Sequence, residues 1–179
     1  NPILQTLVGP GEEHVSLAGI PTEASIHIEC QDALPGLVKN VYAHSAGGGK
    51  FLAILQVQKR HDGDDGMTRQ AALIALAVYR ELKNVILVDE DVDPFDLPQV
   101  MWALSSKVNP AGDLVQLPNM SVLELDPGSS PAGITDKLII DATTPVSPDN
   151  RGHYSQPVKD LPETAQWAEK LTAMLANRK

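Results

Sequence analysis

The stretch Val85-Ile-Leu-Val-Asp-Glu-Asp-Val-Asp-Pro-Phe-Asp96 decides the fold, because four consecutive apolar residues run straight into a loop with five acids in eight residues. An unbroken apolar run, without alternation, suits a strand buried on both faces of a largely parallel sheet. Upstream, Met67 to Leu82 places Ala71, Ile74, Ala75, Val78 and Leu82 at spacings of three and four, which predicts a helix. Downstream, Asp96 stands where the cap of a second helix belongs, running from Leu97 to about Val108 with Val100, Met101, Leu104 and Val108 inward. Helix, buried strand and helix in succession predict an α/β fold: a three-layer α/β/α domain with a mixed, largely parallel sheet and a C-terminal helix.

Farther out, Val38 to His44 and Phe51 to Lys59 read as two strands around the turn Ser45-Ala-Gly-Gly-Gly-Lys50. Residues 1–22, rich in Gly and Pro, read as an irregular connection. Thr22 and Glu23 then stand to cap a helix with Ala24, Ile28 and Ala33 as apolar positions and Pro35-Gly36 as its stop, although Ile26-x-Ile28-x-Cys30 also alternates as a strand. Leu114 to Leu117 and Leu138 to Ile140 are further strands, separated by a Pro/Gly/Ser-rich stretch, Pro127 to Gly133, expected to be mobile. Asp160 to Lys179 reads as a terminal helix. The expected organisation is a connection (1–22), an α/β domain (23–160) and a C-terminal helix (161–179).

A chain of 179 residues with 42% hydrophobic and 21% charged residues is long enough and apolar enough for a real core. Its net charge of -9 repels phosphate backbones and anionic lipid, which argues against nucleic acid and membrane surfaces as partners. The single cysteine, Cys30, permits no internal disulfide, and no apolar run approaches the ~18 residues of a membrane span. A cytoplasmic, reducing setting fits. The chain opens Asn1-Pro2-Ile3, without initiator Met or signal-like segment, and is expected to be a piece of something longer.

The acidic loop invites a metal, since Asp89, Asp91 and Asp93 alternate like the start of an EF-hand. Pro94 stands where that loop needs glycine and Val100 where it needs Glu, so an EF-hand is excluded. A Mg²⁺ site for a stand-alone phosphoryl-transfer enzyme stays open as an alternative, beside a structural reading in which Asp93 and Asp96 serve helix capping and a tight turn. His44-Ser-Ala-Gly-Gly-Gly-Lys50 lacks the first Gly and the Ser or Thr after Lys that a Walker loop requires; a glycine-rich hairpin is preferred over anion contact through free backbone N–H groups. His14, His27, His44, His61 and His153 form no zinc-ligand pattern with each other or with Cys30. Ser16 and Ser45 lack a nucleophile elbow, and Met101-Trp102 reads as core.

Three stretches together resemble the C-terminal domain of the UbiD-like decarboxylases, in their gallate and 4-hydroxybenzoate branch: Gly19-Ile-Pro-Thr-Glu-Ala24, Val85 to Asp96 with Val100-Met-Trp-Ala-Leu104, and Lys137-Leu-Ile-Ile-Asp-Ala-Thr143. Val41 to Lys59 and Arg69 to Leu73 add to the likeness, which covers most of residues 1–143. The resemblance implies a reversible, non-oxidative carboxy-lyase that uses prenylated FMN with Mn²⁺ and K⁺, forms a flavin–substrate adduct, releases CO₂ and returns a proton from a glutamic acid. It implies an upstream flavin-binding domain as partner, a hydroxybenzoate-type substrate and a homo-oligomer. The family's Pro-Phe-Gly-Glu motif is absent here, where Pro94-Phe95 is followed by Asp96-Leu97, so no catalytic residue is carried over and the isolated chain is expected to be inactive. By position, Thr164 to Asn177 corresponds to a helix that docks on a neighbouring subunit, with Trp167, Leu171, Met174 and Leu175 as its interface; packing on its own domain is the competing reading. The flavin domain is expected to face either the Ala46-to-Lys50 turn or the acidic loop. A non-catalytic interaction subunit is the remaining alternative.

Overall fold

The computed structural model describes residues 15–123, 126–146, 158, 161 and 163–176. A π-helical turn, Val15–Gly19, leads into α1 (Ile20–Ala33); β1 (Val38–Ala43) and β2 (Leu52–Val57) follow around a 3₁₀ turn at Ser45–Gly47. Then come α2 (Asp64–Val78), β3 (Asn84–Asp89), α3 (Leu97–Ser106), a one-turn α4 (Pro110–Asp113), β4 (Leu114–Ser121), β5 (Ile134–Ala142) and α5 (Thr164–Ala176).

The strands form one sheet in the order β1-β2-β3-β5-β4. The central pairings, β2 with β3 and β3 with β5, are parallel, and both outer pairings are antiparallel. Strand β3 behaves as its apolar run predicts: Val85 and Leu87 enter the core beneath α1 and α2, while Ile86 and Val88 enter the core beneath α3. Helices therefore cover both faces and the three-layer mixed sheet is present. Helix α2 approaches closely because its buried face is small, Thr68, Ala71, Ala72 and Ala75 with Leu76. None of the described helices is long and apolar enough to cross a membrane.

Several local expectations are corrected. Residues 15–22 are helical, not irregular, because Pro21 occupies the first turn of α1, where its missing N–H costs nothing. Thr22 does not cap α1 but donates to the Ala18 carbonyl (2.6 Å), and Glu23 reaches the end of β1. The inward face of α1 is Thr22, Ile26 and Cys30; Ala24, Ile28 and Ala33 point outward. Helix α2 begins and ends earlier than Met67–Leu82, and a turn after it returns Leu82 to the core. In α3 the buried residues are Val100 and Ala103, whereas Met101 is exposed and Trp102 only partly buried. Asp96 makes no side-chain cap there; its carboxylate accepts from Gln99 Nε2. The described part of the 127–133 stretch is tied into successive turns: Ser129 N donates to Asp126 O, Gly133 N to Ser130 O, and Lys83 pairs with the Asp126 carboxylate at 3.0 Å.

Candidate functional site

In open α/β sheets, ligands gather outside the carboxyl ends of the parallel strands. Here that edge carries the acidic loop after β3, Lys59 after β2 and Thr143 after β5. The loop already holds its cation. Lys107 Nζ, at the end of α3, lies 2.8 Å from Asp89 Oδ2 and 3.1 Å from Asp91 Oδ1, and 5.4 Å from the centre of the Trp102 ring. Asp89 Oδ2 also accepts from Thr144 N (2.8 Å), and Asp93 Oδ1 accepts from Phe95 N (2.9 Å). An ammonium therefore stands between two of the three carboxylates that a Mg²⁺ site would use, and the third is turned to its own loop. Among the described residues, no group of three His, Cys, Asp or Glu side chains could hold a metal. The loop is held by ion pairing with Lys107 and by an Asx turn at Asp93, while the helix capping expected of Asp96 is not made.

The rest of this edge is equally self-contained. Lys59 Nζ donates to Asp65 Oδ1 (2.9 Å), Thr143 Oγ1 (3.0 Å) and the Thr144 carbonyl. Buried Asp141 accepts from Thr68 Oγ1 (3.0 Å) and Thr143 Oγ1 (2.6 Å), and Arg69 lies between Asp141 and Asp113 at 3.7 and 3.8 Å. Buried charges persist when paired and hydrogen-bonded, as Asp141 is, whereas the buried Arg69 Nε has no hydrogen-bond partner among the described residues and faces Asp141 only as an ion pair. Beside them, a cleft of about 290 Å³ opens between the end of α1 and the start of α2, lined by Leu34, Leu37, Gln58, Arg60, His61 and Met67 among others.

At the opposite end of β2, the glycine turn is a hairpin, with β1 and β2 antiparallel across it. It offers no anion cradle. The N–H of Ala46 donates to His44 Nδ1, those of Gly47 and Gly49 to His44 O, that of Gly48 to Ser45 O, and those of Lys50 and Phe51 to Gly47 O. Lys50 pairs with Glu81 at 3.1 Å. Burial holds the His44 imidazole below its ordinary pKa, which keeps Nδ1 available as an acceptor. Glu23 Oε1 accepts from Ala43 N (2.9 Å) at the free edge of β1, and desolvation raises its carboxyl above the usual range despite that bond. Burial, helped by the Glu29 charge, pushes the Cys30 thiol up to about 11, so it is inert packing.

Tyr42, on β1, is in ring contact with His44 (centroids 5.2 Å apart) and with Phe95 of the acidic loop (4.8 Å). In α5, Trp167, Leu171, Met174 and Leu175 are all exposed, between 56% and 67%. Sequence reasoning missed the contacts of Lys107, Lys59 and Tyr42, and read Glu23 as a cap rather than as the acceptor for Ala43 N. The signal for Lys107 was present, a lone cation at the end of an apolar helix that follows directly on an acid-rich loop.

Residues 15–142 match the family described as the 3-octaprenyl-4-hydroxybenzoate carboxy-lyase C-terminal domain (UbiD). The chain is 70% identical over 145 residues to a phenolic acid decarboxylase of Escherichia coli O157:H7, covering 79% of this chain and 29% of that protein. Its fold is similar to the apo 3,4-dihydroxybenzoic acid decarboxylase of Enterobacter cloacae (TM-score 0.79, 47% identity, 90% of this chain and 34% of that one). It is also similar to the UbiD-class enzyme HmfF of Pelotomaculum thermopropionicum, solved with FMN (TM-score 0.77, 29% identity, 87% of this chain and 33% of that one). The chain thus spans about a third of the length of the relatives it matches.

Proposed function

Because this chain belongs to the family of UbiD carboxy-lyase C-terminal domains, we propose that it serves as the C-terminal domain of a reversible, non-oxidative decarboxylase of hydroxybenzoate-type acids. The observation that carries this reading is the 70% identity to a phenolic acid decarboxylase across most of the α/β domain. In the proposed enzyme a flavin-binding domain holds prenylated FMN with Mn²⁺ and K⁺. The described residues of this chain do not fit that group: the glycine turn spends its N–H donors internally, and the carboxyl edge of the sheet is closed by its own ion pairs. No catalytic step is therefore assigned to them. Their contribution is a rigid α/β body and surfaces for assembly. The apolar face of α5, Trp167 with Leu171, Met174 and Leu175, is the proposed contact with a neighbouring subunit of a homo-oligomer, since amphipathic faces of this kind are stabilised by burial at interfaces. A buried, unreactive thiol suits a reducing cytoplasm.

The test has two arms. This chain alone, supplied with prenylated FMN and Mn²⁺, is expected to release no CO₂ from 4-hydroxybenzoate or gallate; robust turnover overturns the reading. Residues 15–179 substituted for the matching part of the E. coli relative are expected to give an active chimera, and a folded but inactive chimera would also overturn it.

A further inference from the structure

The cleft between the end of α1 and the start of α2 stands apart from the ion pairs of the sheet's carboxyl edge, and its chemistry differs from theirs. Most of its lining is apolar. Leu34, Pro35 and the buried Leu37 come from the turn after α1, and Met67, 40% exposed, comes from the start of α2.

Both sides of the cleft are fixed in advance. Gln31 clamps the turn after α1: its Nε2 donates to the Val38 carbonyl (2.6 Å), and its Oε1 accepts from Gly36 N (2.9 Å). Gly36 stands at φ +79°, which lets the chain return tightly at no steric cost. Gln58 N donates to Leu37 O (2.8 Å) and ties the turn to the end of β2. On the other side, Asp64 Oδ2 accepts from the N–H groups of Arg60 (2.7 Å) and His61 (3.1 Å). Those two bonds pin the loop that enters α2 and hold the Asp64 carboxyl below its usual range.

The polar equipment centres on one guanidinium. Arg60 Nη2 donates to Gln58 Oε1 (2.8 Å), and Gln58 Nε2 donates in turn to the Glu90 carboxylate. Lys59, Arg69 and Lys107 face carboxylates, whereas this partner of Arg60 is a neutral amide, which steadies the guanidinium fork and leaves its charge for a ligand. His61, the other cation in the lining, lies 3.7 Å from Asp64.

We propose that this cleft is a binding site for a small aromatic monocarboxylate, with the ring among Leu34, Leu37 and Met67 and the carboxylate on Arg60. A planar carboxylate matches the guanidinium fork, and a thioether beside branched aliphatic groups suits a ring. Asp64 in the same lining disfavours a dianion, whose second charge meets a like charge. At about 290 Å³ the cleft sits at the lower end of small-molecule sites, about 300–1,000 Å³, so it takes one ring and not a nucleotide. Its position agrees, since Gln58 and Arg60 directly follow β2, and ligands in open α/β sheets gather at the carboxyl ends of strands. The site is independent of the decarboxylase reading, because every group in it belongs to this chain.

Titration of this chain with benzoate, followed in ¹⁵N–¹H NMR spectra, tests the site. Saturable shifts are expected within residues 34–37 and 58–67, with a Kd of about 1 mM, as befits so small a ligand. Acetate, which lacks the ring, and benzyl alcohol, which lacks the charge, are each expected to bind at least ~10-fold more weakly. Arg60→Gln is expected to weaken benzoate at least ~10-fold, and Arg60→Lys by less, because the charge stays and the fork is lost. Arg60 is exposed, so both variants should keep the parent spectrum outside the cleft. Shifts centred elsewhere, equal affinity for benzoate and benzyl alcohol, binding unmoved by Arg60→Gln, or no saturation by about 20 mM benzoate overturns the site. Tighter binding of phenyl phosphate than of benzoate overturns the choice of a monocarboxylate. None of these outcomes touches the decarboxylase reading, which the chimera decides.

Discussion

The two ends of the β2 strand treat their side chains in opposite ways. At its carboxyl end, Lys59 pairs with Asp65 and Lys107 with Asp89, Asp141 accepts from Thr143, and the N–H of Thr144 closes on Asp89. At its amino end the backbone is closed, every N–H from Ala46 to Phe51 having an acceptor, yet Leu17 and Ile20 beside the turn are left in water. A dense cluster of acids is therefore no sign of a site when it carries its own counter-ion. Apolar surface with nothing over it is the better sign, because a domain that could bury those groups gains about 25 cal/mol for each Å² it covers.

The sharpest way to break this contrast is to remove the counter-ion. Lys107→Ala leaves the largely buried Asp89 carboxylate without its ammonium, and breaking such a pair costs about 3–5 kcal/mol. Chemical denaturation should show that loss, and a cost under about 1 kcal/mol would mean the carboxyl edge is not internally locked. Next in size is Gly49→Ala at the other end. Gly49 has φ +68° and would press a methyl group on the Gly19 backbone and Val15 carbonyl, so left-handed strain and overpacking together predict a loss of about 2–3 kcal/mol. Gly36→Ala is the control: its φ is +79° but the added methyl meets open space, and strain alone predicts about 1 kcal/mol in the same measurement. Equal losses at Gly36 and Gly49 would show that the first helical turn does not rest tightly on the hairpin.

The parts of this architecture that the sequence disclosed are those set by periodicity. The unbroken apolar Val85–Val88 run reads as a strand with helices on both sides, and the three-four spacing in α2 placed Ala71 and Ala75 inward but missed Thr68, Ala72 and Leu76. What it hid depends on contacts distant in sequence. Thr22 and Glu23 look like cap residues, but the packing of Gly19 on Gly49 extends the helical path upstream and redirects Glu23 to β1. Asp89 and Asp91 look like metal ligands until α3 delivers Lys107 from 16 to 18 residues away. The aromatic corner was invisible for the same reason, since Tyr42 and Phe95 meet only when the sheet is assembled. The family resemblance gave the family, which no single motif contains.

The smallest effect probes the corner most finely. The free edge of β1 is closed by Glu23, whose carboxylate accepts the Ala43 N–H, while desolvation, the larger influence, lifts its pKa. Glu23→Ala removes the acceptor and should cost about 0.5–1.5 kcal/mol, the net worth of one hydrogen bond. Glu23→Gln keeps a carbonyl oxygen for Ala43 and removes the charge. A carboxyl whose folded pKa lies above its unfolded value gives its full stabilisation below the unfolded value and loses it as pH rises through the folded one. The parent should therefore lose stability relative to Glu23→Gln on going from acid to neutral pH, and melting temperatures across that range should diverge in favour of the glutamine variant. If the two curves run parallel, or the parent gains on the variant, the hydrogen bond to Ala43 outweighs the desolvation, and the β1 edge is held by charge in the manner of the carboxyl end.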